Sequence, residues 1–175
     1  ICIYDVEELS THGGSLRIYG CHQYDPRPTT YAVETHLRRE VEVGLQNLAP
    51  YAAFQARAEK VKDKLLDFLV KQKRSGKTVA AYGAAAKGNT LLNYAGVKPD
   101  LLSFVCDAAG SKQGKYMPGS HIPILAPAWL REKRPDYVII LPWNLSAEVA
   151  HEHAYIKEWG GRFVVAIPDI RVLGG

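Results

Sequence analysis

The sequence has 175 residues, 47% of them hydrophobic and 23% charged, which is enough to bury one full core. Its net charge of +4 is mild and spread along the chain, which favours a small anion such as a phosphate over nucleic acid. No apolar run reaches the roughly 20 residues of a membrane span, so we expect no membrane partner.

The cysteines indicate where the protein is located, and the first residue indicates whether the chain is part of a longer protein. Cys2, Cys21 and Cys106 are odd in number and lack the spacing of a metal site, which is typical of reduced thiols in a cytoplasmic protein. We therefore expect a cytoplasmic location. Because the chain opens with Ile1 inside an apolar alternating segment, we also expect it to be part of a longer protein.

The first part of the chain divides into strands, a linker and helices. Apolar and polar residues alternate over 1–24 on both sides of THGG, which predicts two strands joined by a turn. The segment DPRPTT at 25–30 is typical of a linker. Over 31–74 apolar residues recur at spacings of three and four, which predicts helical structure. Its last part is a long amphipathic helix that ends at Gly76.

Strands and helices then alternate over 77–173. The predicted strands are TVAAY, LLSFVCD, IPIL, DYVIILP and RFVVAIP. The predicted helices are KGNTLLNYAG, APAWLREKR and NLSAEVAHEHAYIKEWGG, and a long glycine-bearing loop precedes IPIL. Nearly continuous apolar strands indicate a sheet covered by helices on both faces. The sequence therefore predicts an α/β fold with a mostly parallel sheet, preceded by a β-hairpin and a long helix.

The turn after TVAAY is the candidate ligand site. Gly83 follows the strand at its carboxyl end, where open α/β sheets bind ligands, and glycine allows a tight turn and close backbone approach. The helix that begins near Lys87 directs unpaired N–H groups and its positive dipole end to the same place. Lys87 adds a full charge. We predict that Gly83 and Lys87 hold a phosphate or diphosphate, and that Tyr82 and Asn89 belong to the same substrate-binding site.

Three further residues follow other strand ends. Asp107 comes 24 positions after Gly83, near where dinucleotide folds place the acid that binds ribose hydroxyls. Trp143 and Asn144 in ILPWN fall on the same rim, where a tryptophan can stack on a base or sugar ring. In the alternative interpretation, Gly83 permits close packing, Lys87 is solvated and Asp107 caps a turn. Trp143 is then half-buried and Asn144 an ordinary helix cap.

Histidines and the long loop supply the other candidates. His12 in STHGGSLR is suited to act as a general base near neutral pH, or is a solvated residue of a hairpin turn. His151 and His153 are two apart on a predicted helix and do not share a face, which disfavours a metal site. The loop KYMPGSHIPI either closes over a ligand or forms a turn dictated by Pro118 and Gly119.

Several of these segments, together and in order, resemble a known family. HGGSLR, YGAAAKGNTLLNY, VCDAAGSKQGKYMPGSHIPI and ILPWN, closing in VAIPDIRVL, are similar to the C-terminal half of sugar C-methyltransferases. Those enzymes use S-adenosylmethionine to methylate a carbon of a nucleotide-linked deoxysugar. The resemblance covers nearly the whole chain.

The resemblance implies a division of the chain and a role for its parts. Residues 1–24 would be terminal strands of a methyltransferase domain, and 25–76 a linker with bracing helices. Residues 77–175 would be a Rossmann-like domain that binds a nucleoside-diphosphate sugar over Gly83 and Lys87. The histidine of HGGS, His12, would lie in the active site as the catalytic residue.

The resemblance also implies what lies outside this chain. S-adenosylmethionine would bind elsewhere in the intact enzyme, because no glycine-rich methyltransferase loop precedes residue 77. Zinc would belong only to an N-terminal domain. We therefore expect this chain, whose partner would be the rest of the same protein, not to transfer a methyl group alone. Two alternatives stay open: a module that binds another nucleotide, such as NAD or coenzyme A, and a scaffold domain without a ligand.

Overall fold

The computed structural model describes residues 1–174, which fall into two compact units. The first unit spans Ile1–Arg57 and the second begins at Ala58. This boundary falls within a long helix, α2 (Ala49–Arg74). The resemblance instead implies domain boundaries after residues 24 and 76, outside the helices and strands. That division of the chain stays a prediction.

The first unit contains a hairpin and a helix, as its sequence pattern predicted. β1 (Cys2–Leu9) and β2 (Ser15–Cys21) pair antiparallel around a 3₁₀ turn at Thr11–Gly13. α1 (Tyr31–Glu42) follows the linker and packs against β1. None of residues 1–57, all of which are described, is buried.

The second unit is built on one six-stranded sheet. Its strands are β3 (Val79–Tyr82), β4 (Val105–Cys106), β5 (Ile124–Leu125), β6 (Tyr137–Ile140), β7 (Arg162–Val165) and β8 (Arg171–Leu173). They lie in the order β5-β4-β3-β6-β7-β8, and all are parallel except β8. Counted from β3, this is the 3-2-1-4-5-6 order of dinucleotide-binding sheets. The predicted α/β, Rossmann-like, mostly parallel fold is confirmed.

Helices cover both faces of the sheet. They are α2, α3 (Ala86–Tyr94), α4 (Ala128–Lys133) and α5 (Ser146–Glu152). Buried side chains form two clusters, one with α2 and α3 and the other with α4 and α5. Along β3, Val79 and Ala81 belong to the first cluster, whereas Ala80 and Tyr82 belong to the second. Because side chains of a strand alternate between faces, a strand buried on both faces must be apolar throughout.

Some predicted elements differ from the structure. The predicted helix after β6 is broken into a 3₁₀ turn at Trp143–Leu145, α5 and a 3₁₀ helix at Ala154–Trp159. The break falls at His153, whose φ of −105° and ψ of 27° are not helical. The predicted strands LLSFVCD and IPIL form only two ladder residues each. The edge strand β8 was not predicted, because three residues are too few to show an alternating pattern.

Among the described residues there are three free thiols, no metal-type cluster of side chains and no helix suited to span a membrane. Cys2 is exposed, Cys21 is partly exposed and Cys106 is buried, and all three are free thiols. Burial raises the pKa of the Cys106 thiol to about 12. Residues 1–174 contain no group of three or more His, Cys, Asp or Glu side chains placed to hold a metal ion. Over the same residues, no helix is both long and apolar enough to span a bilayer.

Candidate functional site

The candidate site lies where β3 and β6 end, side by side, at the carboxyl edge of the sheet. The chain order of the strands reverses between these two neighbours, and such a switch point is where α/β sheets bind ligands. α3 begins here, and its N-cap residue is Ala85, which makes no side-chain capping bond. The first N–H groups of a helix point outward along its axis, so α3 directs N–H groups and its positive dipole end to this edge.

Lys87 joins two segments at this switch point. Its Nζ lies 3.4 Å from Asn144 Oδ1 and 5.3 Å from the centroid of the Trp143 ring. Lys87 is exposed and Trp143 is half-buried. Asn144 does not cap the following helix, since the N-cap residue of α5 is Leu145. A cation, an aromatic face and a helix N-terminus thus converge on one edge, and that combination suits a phosphate joined to a ring.

Gly83 is a point of close packing. Its φ of +96° lies in the left-handed region, and a Cβ there would come within 2.5 Å of Pro142 Cδ. A Cβ on Gly88 would likewise come within 2.6 Å of Leu141 Cβ. Both glycines therefore let the segment after β6 approach α3 and its turn. Because Pro142 fills the space beside Gly83, the structure favours its packing role over backbone approach to a ligand.

Asp107 holds the turn between β3 and α3. Its Oδ2 accepts hydrogen bonds from Ala84 N at 2.7 Å and from Lys112 Nζ at 3.0 Å, and its Oδ1 accepts one from Ala109 N at 2.8 Å. Burial opposes ionisation, but these hydrogen bonds outweigh it and hold the pKa of the Asp107 carboxyl below its usual value. With both oxygens occupied, the side chain favours the turn-holding role over binding ribose hydroxyls.

Tyr82 and Asn89 differ in their surroundings. Tyr82 is 7% exposed, and its ring centroid lies 4.4 Å from that of His153. Burial raises the pKa of the Tyr82 hydroxyl, and the side chain packs in the core, so a ligand contact by Tyr82 stays a prediction. Asn89 is partly exposed, and its Oδ1 is shielded from solvent with no hydrogen-bond donor.

A cavity of about 350 Å³ lies beside the first turn of α3. One wall comes from Ala84, Ala86 and Asn89, and the opposing loop contributes residues from Ser111 to Pro118. Ile124 of β5 also lines it. Since β5 and β6 lie on different sides of β3 in the sheet order, this cavity and the Lys87 contacts flank the same helix end.

The loop KYMPGSHIPI is fastened to α3. Asn93 Nδ2 donates to Pro118 O at 2.9 Å, and Lys98 Nζ donates to Gly119 O at 2.7 Å. Met117 is buried at 2% exposure. Of the two interpretations, the structure favours a fixed turn over a segment that closes across a ligand.

His12 belongs to the first unit, whereas the switch point belongs to the second. It is exposed and has a φ of +56° within the turn between β1 and β2. The turn geometry agrees with the hairpin interpretation of THGG. The role of His12 as a general base stays a prediction.

Comparison with known proteins identifies the family. The model of the C-methyltransferase C-terminal domain family matches residues 10–168 of the chain. This chain belongs to that family. C-methyltransferase NovU of Streptomyces niveus is 34% identical over 171 residues, which are 98% of this chain and 41% of NovU. The chain thus spans about two fifths of the length of that relative, and the family resemblance drawn from the motifs is confirmed.

Among solved structures, the C-methyltransferase C-terminal domain is similar to the crystal structure of UDP-D-quinovosamine 4-dehydrogenase from Vibrio fischeri. The two are 15% identical with a TM-score of 0.44. The match covers 56% of this chain and 93% of that one.

Two features of this C-methyltransferase C-terminal domain were not predicted from sequence. One is the cavity beside α3, for which the run of small residues Ala84–Ala86 was the available signal, because alanines leave room against a helix end. The other is the attachment of the loop through Asn93 and Lys98, which no sequence pattern indicates.

Proposed function

We propose that this chain is the substrate-binding portion of a C-methyltransferase that acts on a nucleotide-linked keto-deoxysugar in the cytoplasm. Family membership supports methyl transfer as the activity of the whole protein. The observation that carries the substrate assignment is the convergence of Lys87, Trp143 and Asn144 beside the N-terminus of α3 at the switch point.

In this proposal the second unit binds the nucleoside diphosphate. The diphosphate accepts hydrogen bonds from the first N–H groups of α3 and pairs with Lys87, because both present positive charge to the same edge. Trp143 offers an apolar ring face beside the cation. Binding energy from the nucleotide, which does not react, is used to orient the sugar that does.

The reacting sugar is proposed to lose a proton from the carbon beside its keto group. His12 is the candidate base, because a neutral imidazole accepts a proton near neutral pH. S-adenosylmethionine would supply the methyl group when bound to the intact enzyme. The glycine turn at the switch point does not fit that donor, because Pro142 fills the space beside Gly83. We assign the donor, and zinc, to other parts of the whole protein.

Of the other two nucleotide candidates, NAD and coenzyme A, NAD is disfavoured by Asp107. In dinucleotide-binding folds the acid at the end of the second strand binds ribose hydroxyls. Both oxygens of Asp107 instead bind Ala84, Ala109 and Lys112. A coenzyme A module and a scaffold without a ligand are the remaining alternatives, and binding measurements separate them from the proposal.

Isothermal titration calorimetry of the chain with thymidine diphosphate, and separately with NAD and with coenzyme A, tests the proposed function. We expect thymidine diphosphate to bind below millimolar concentration, and about a tenfold loss of affinity in Lys87→Ala because one charged contact to phosphate is removed. Lys71→Ala is the matched control. Lys71 is an exposed lysine near the C-terminus of α2, which leads to the start of β3, whereas the candidate site lies at the end of β3. No heat at millimolar ligand would favour the scaffold, and tighter binding of NAD or coenzyme A would favour the other nucleotide module.

A further inference from the structure

Two of the three thiols lie opposite each other at the end of the hairpin that is far from the THGG turn. Cys2 begins β1 and Cys21 ends β2, and the two are direct partners in the antiparallel ladder. Such partners project from the same face of the sheet, with Cβ atoms roughly 4.5–5.5 Å apart. A disulfide requires a Cβ separation of about 3.5–4.5 Å. The pair therefore comes within bonding distance when the strand ends approach by about 1 Å.

The ladder beside this pair can make that adjustment. Its register shifts between Ile3 and Asp5, where β1 carries the extra residue Tyr4, and the neighbour of Cys21 is Gly20. A bulge of this kind bends and twists a strand locally, and glycine is the residue with the most backbone freedom. A disulfide that pulls the strand ends together keeps some strain, and strained disulfides are the ones that are readily reduced again.

The pair is accessible to reagents in solution, whereas the third thiol is not. Cys2 is exposed and Cys21 is partly exposed, but Cys106 is buried. Burial also raises the pKa of the Cys106 thiol to about 12. Because the thiolate is the form that reacts, Cys106 stays inert under conditions in which the exposed pair exchanges with a soluble disulfide.

The hairpin is a segment whose rigidity a covalent bond would change. β1 and β2 form a sheet of only two strands, and each of their residues is exposed or partly exposed. A two-stranded hairpin is marginally stable in water, because it buries little apolar surface. A bond between Cys2 and Cys21 would close a loop around the THGG turn, and closing a loop removes conformational freedom from the unfolded segment.

We infer that Cys2 and Cys21 are a reversible disulfide site that exchanges with small-molecule disulfides such as oxidised glutathione. One cysteine thiolate attacks a sulfur of oxidised glutathione, which forms a mixed disulfide and releases one glutathione thiolate. The other cysteine thiolate attacks the protein sulfur of that mixed disulfide and releases the second glutathione. The two cysteine sulfurs are oxidised, the two glutathione sulfurs are reduced, and the two released thiolates take up the two cysteine protons.

The disulfide clamps the hairpin that carries His12 and leaves the second unit unchanged. Transient disulfides of this kind are typical of redox-sensing sites in cytoplasmic proteins, where thiols are otherwise kept reduced. The inference does not depend on the proposed function, because no nucleotide takes part in the exchange.

Peptide mapping after treatment with oxidised glutathione tests the bond. The chain is treated at low protein concentration, alkylated, digested with trypsin and analysed by mass spectrometry without reduction. Cleavage after Arg17 places Cys2 and Cys21 in different peptides. We expect these two peptides to be joined, the intact chain to lose the mass of two hydrogen atoms, and the Cys106 peptide to carry a free thiol. Dithiothreitol should restore the separate peptides.

Variants assign the bond to the pair. Cys2→Ser and Cys21→Ser should each keep one bound glutathione, because the mixed disulfide then has no second thiol to displace it. Cys106→Ala is the matched control, since it removes the buried thiol and should leave the joined peptides unchanged. Glutathione on both Cys2 and Cys21 without a joined peptide, or a bond formed only between two chains, would overturn the inference.

Hydrogen exchange tests the clamp itself. Oxidation should slow exchange at the amides of β1 and β2 by about tenfold and leave β3 and β6 unchanged, and dithiothreitol should reverse the effect. The Cys2→Ser variant treated in the same way should show no slowing. A joined peptide with unchanged exchange in β1 and β2 would overturn the clamp. None of these outcomes alters nucleotide binding at Lys87, so failure here and failure of the proposed function are separate results.

Discussion

Two glycines determine how closely the segment after β6 packs against α3. Gly83 and Gly88 face Pro142 and Leu141, and an added Cβ at either position would lie closer than 3.0 Å to a neighbouring carbon. Interiors are packed as densely as crystals, so neighbours have little room to shift. At the residue scale, the site therefore depends on the lack of a side chain at Gly83 and Gly88 as much as on the charge of Lys87.

Replacing Gly83 by alanine should destabilise the second unit strongly. The change adds a contact of 2.5 Å with Pro142 to the strain of a φ of +96°. We expect a loss of about 3 kcal/mol in the free energy of unfolding, the sum of backbone strain and overpacking. Urea denaturation followed by tryptophan fluorescence measures it, because Trp129, Trp143 and Trp159 all lie in the second unit.

Substitutions at two other glycines separate the cost of backbone strain from the cost of overpacking. Gly114 has a φ of +74° with nothing within 4 Å of an added Cβ, so Gly114→Ala should cost only about 1 kcal/mol of backbone strain. Gly110 has open space and no positive φ in this range, so Gly110→Ala should be nearly neutral. Equal effects at all three positions would contradict the packing role of Gly83.

At the scale of elements, α3 organises the candidate site from both ends. Its first turn lines the cavity and carries Lys87, while Asn93 in its last turns holds the loop before β5. Gly119 in that loop would place a Cβ 2.2 Å from Asn93 Oδ1, so the loop lies directly on the helix. The wall of the cavity that contains Tyr116 is thus positioned by an attachment farther along α3.

Removing that attachment should loosen the loop without unfolding the sheet. In Asn93→Ala the bond to Pro118 O is lost, and we expect faster hydrogen exchange at the amides of Met117 and His121. Thr90→Ala is the matched control, since Thr90 lies on α3 and its hydroxyl bonds only within the helix, to Ala86 O. Unchanged exchange in Asn93→Ala would show that Lys98 and the buried Met117 suffice.

The order of elements could be predicted from the sequence because buried parallel strands are apolar throughout and helices end at glycines. TVAAY and DYVIILP became β3 and β6, and their carboxyl ends brought Lys87 beside Trp143 as the switch-point rule predicts. The roles of Gly83 and Asp107 could not be decided in this way. Close packing and ligand approach both require glycine, and turn-holding and ribose binding both require a carboxylate at a strand end.

For the whole molecule, burial is concentrated in the second unit. Every buried hydrophobic side chain among residues 1–174 lies at Leu65 or beyond. The buried polar groups Asp107 and His153 lie there as well. Asp136 joins the starts of β3 and β6 by accepting hydrogen bonds from Lys77 and from Thr78. The stability of this unit should therefore respond to the titration of these three groups.

All three groups shift in the same direction, toward lower pKa. For Asp107 and Asp136, burial opposes the shift but hydrogen bonds outweigh it, so the pKa lies below the ordinary 3.8. For His153, burial lowers the pKa below 6.5, and the charge of Glu152 offsets this only in part. In each case the unfolded chain binds protons at a higher pH than the folded chain, so stability falls as pH falls.

We expect two stages of destabilisation on acidification. The first begins below pH 6.5, where His153 is protonated in the unfolded chain but stays neutral in the folded chain. The second begins near pH 3.8, where Asp107 and Asp136 are protonated in the unfolded chain but stay ionised in the folded chain. Urea midpoints from pH 7.5 to 3, read by tryptophan fluorescence, measure both.

His153→Phe should abolish the first stage, because it keeps a ring against Tyr82 without a titrating nitrogen. His151→Phe, at an exposed position on α5, should retain it. A urea midpoint that stays constant between pH 7 and 5 in the parent chain, or a first stage that persists in His153→Phe, would show that His153 does not control stability in this range.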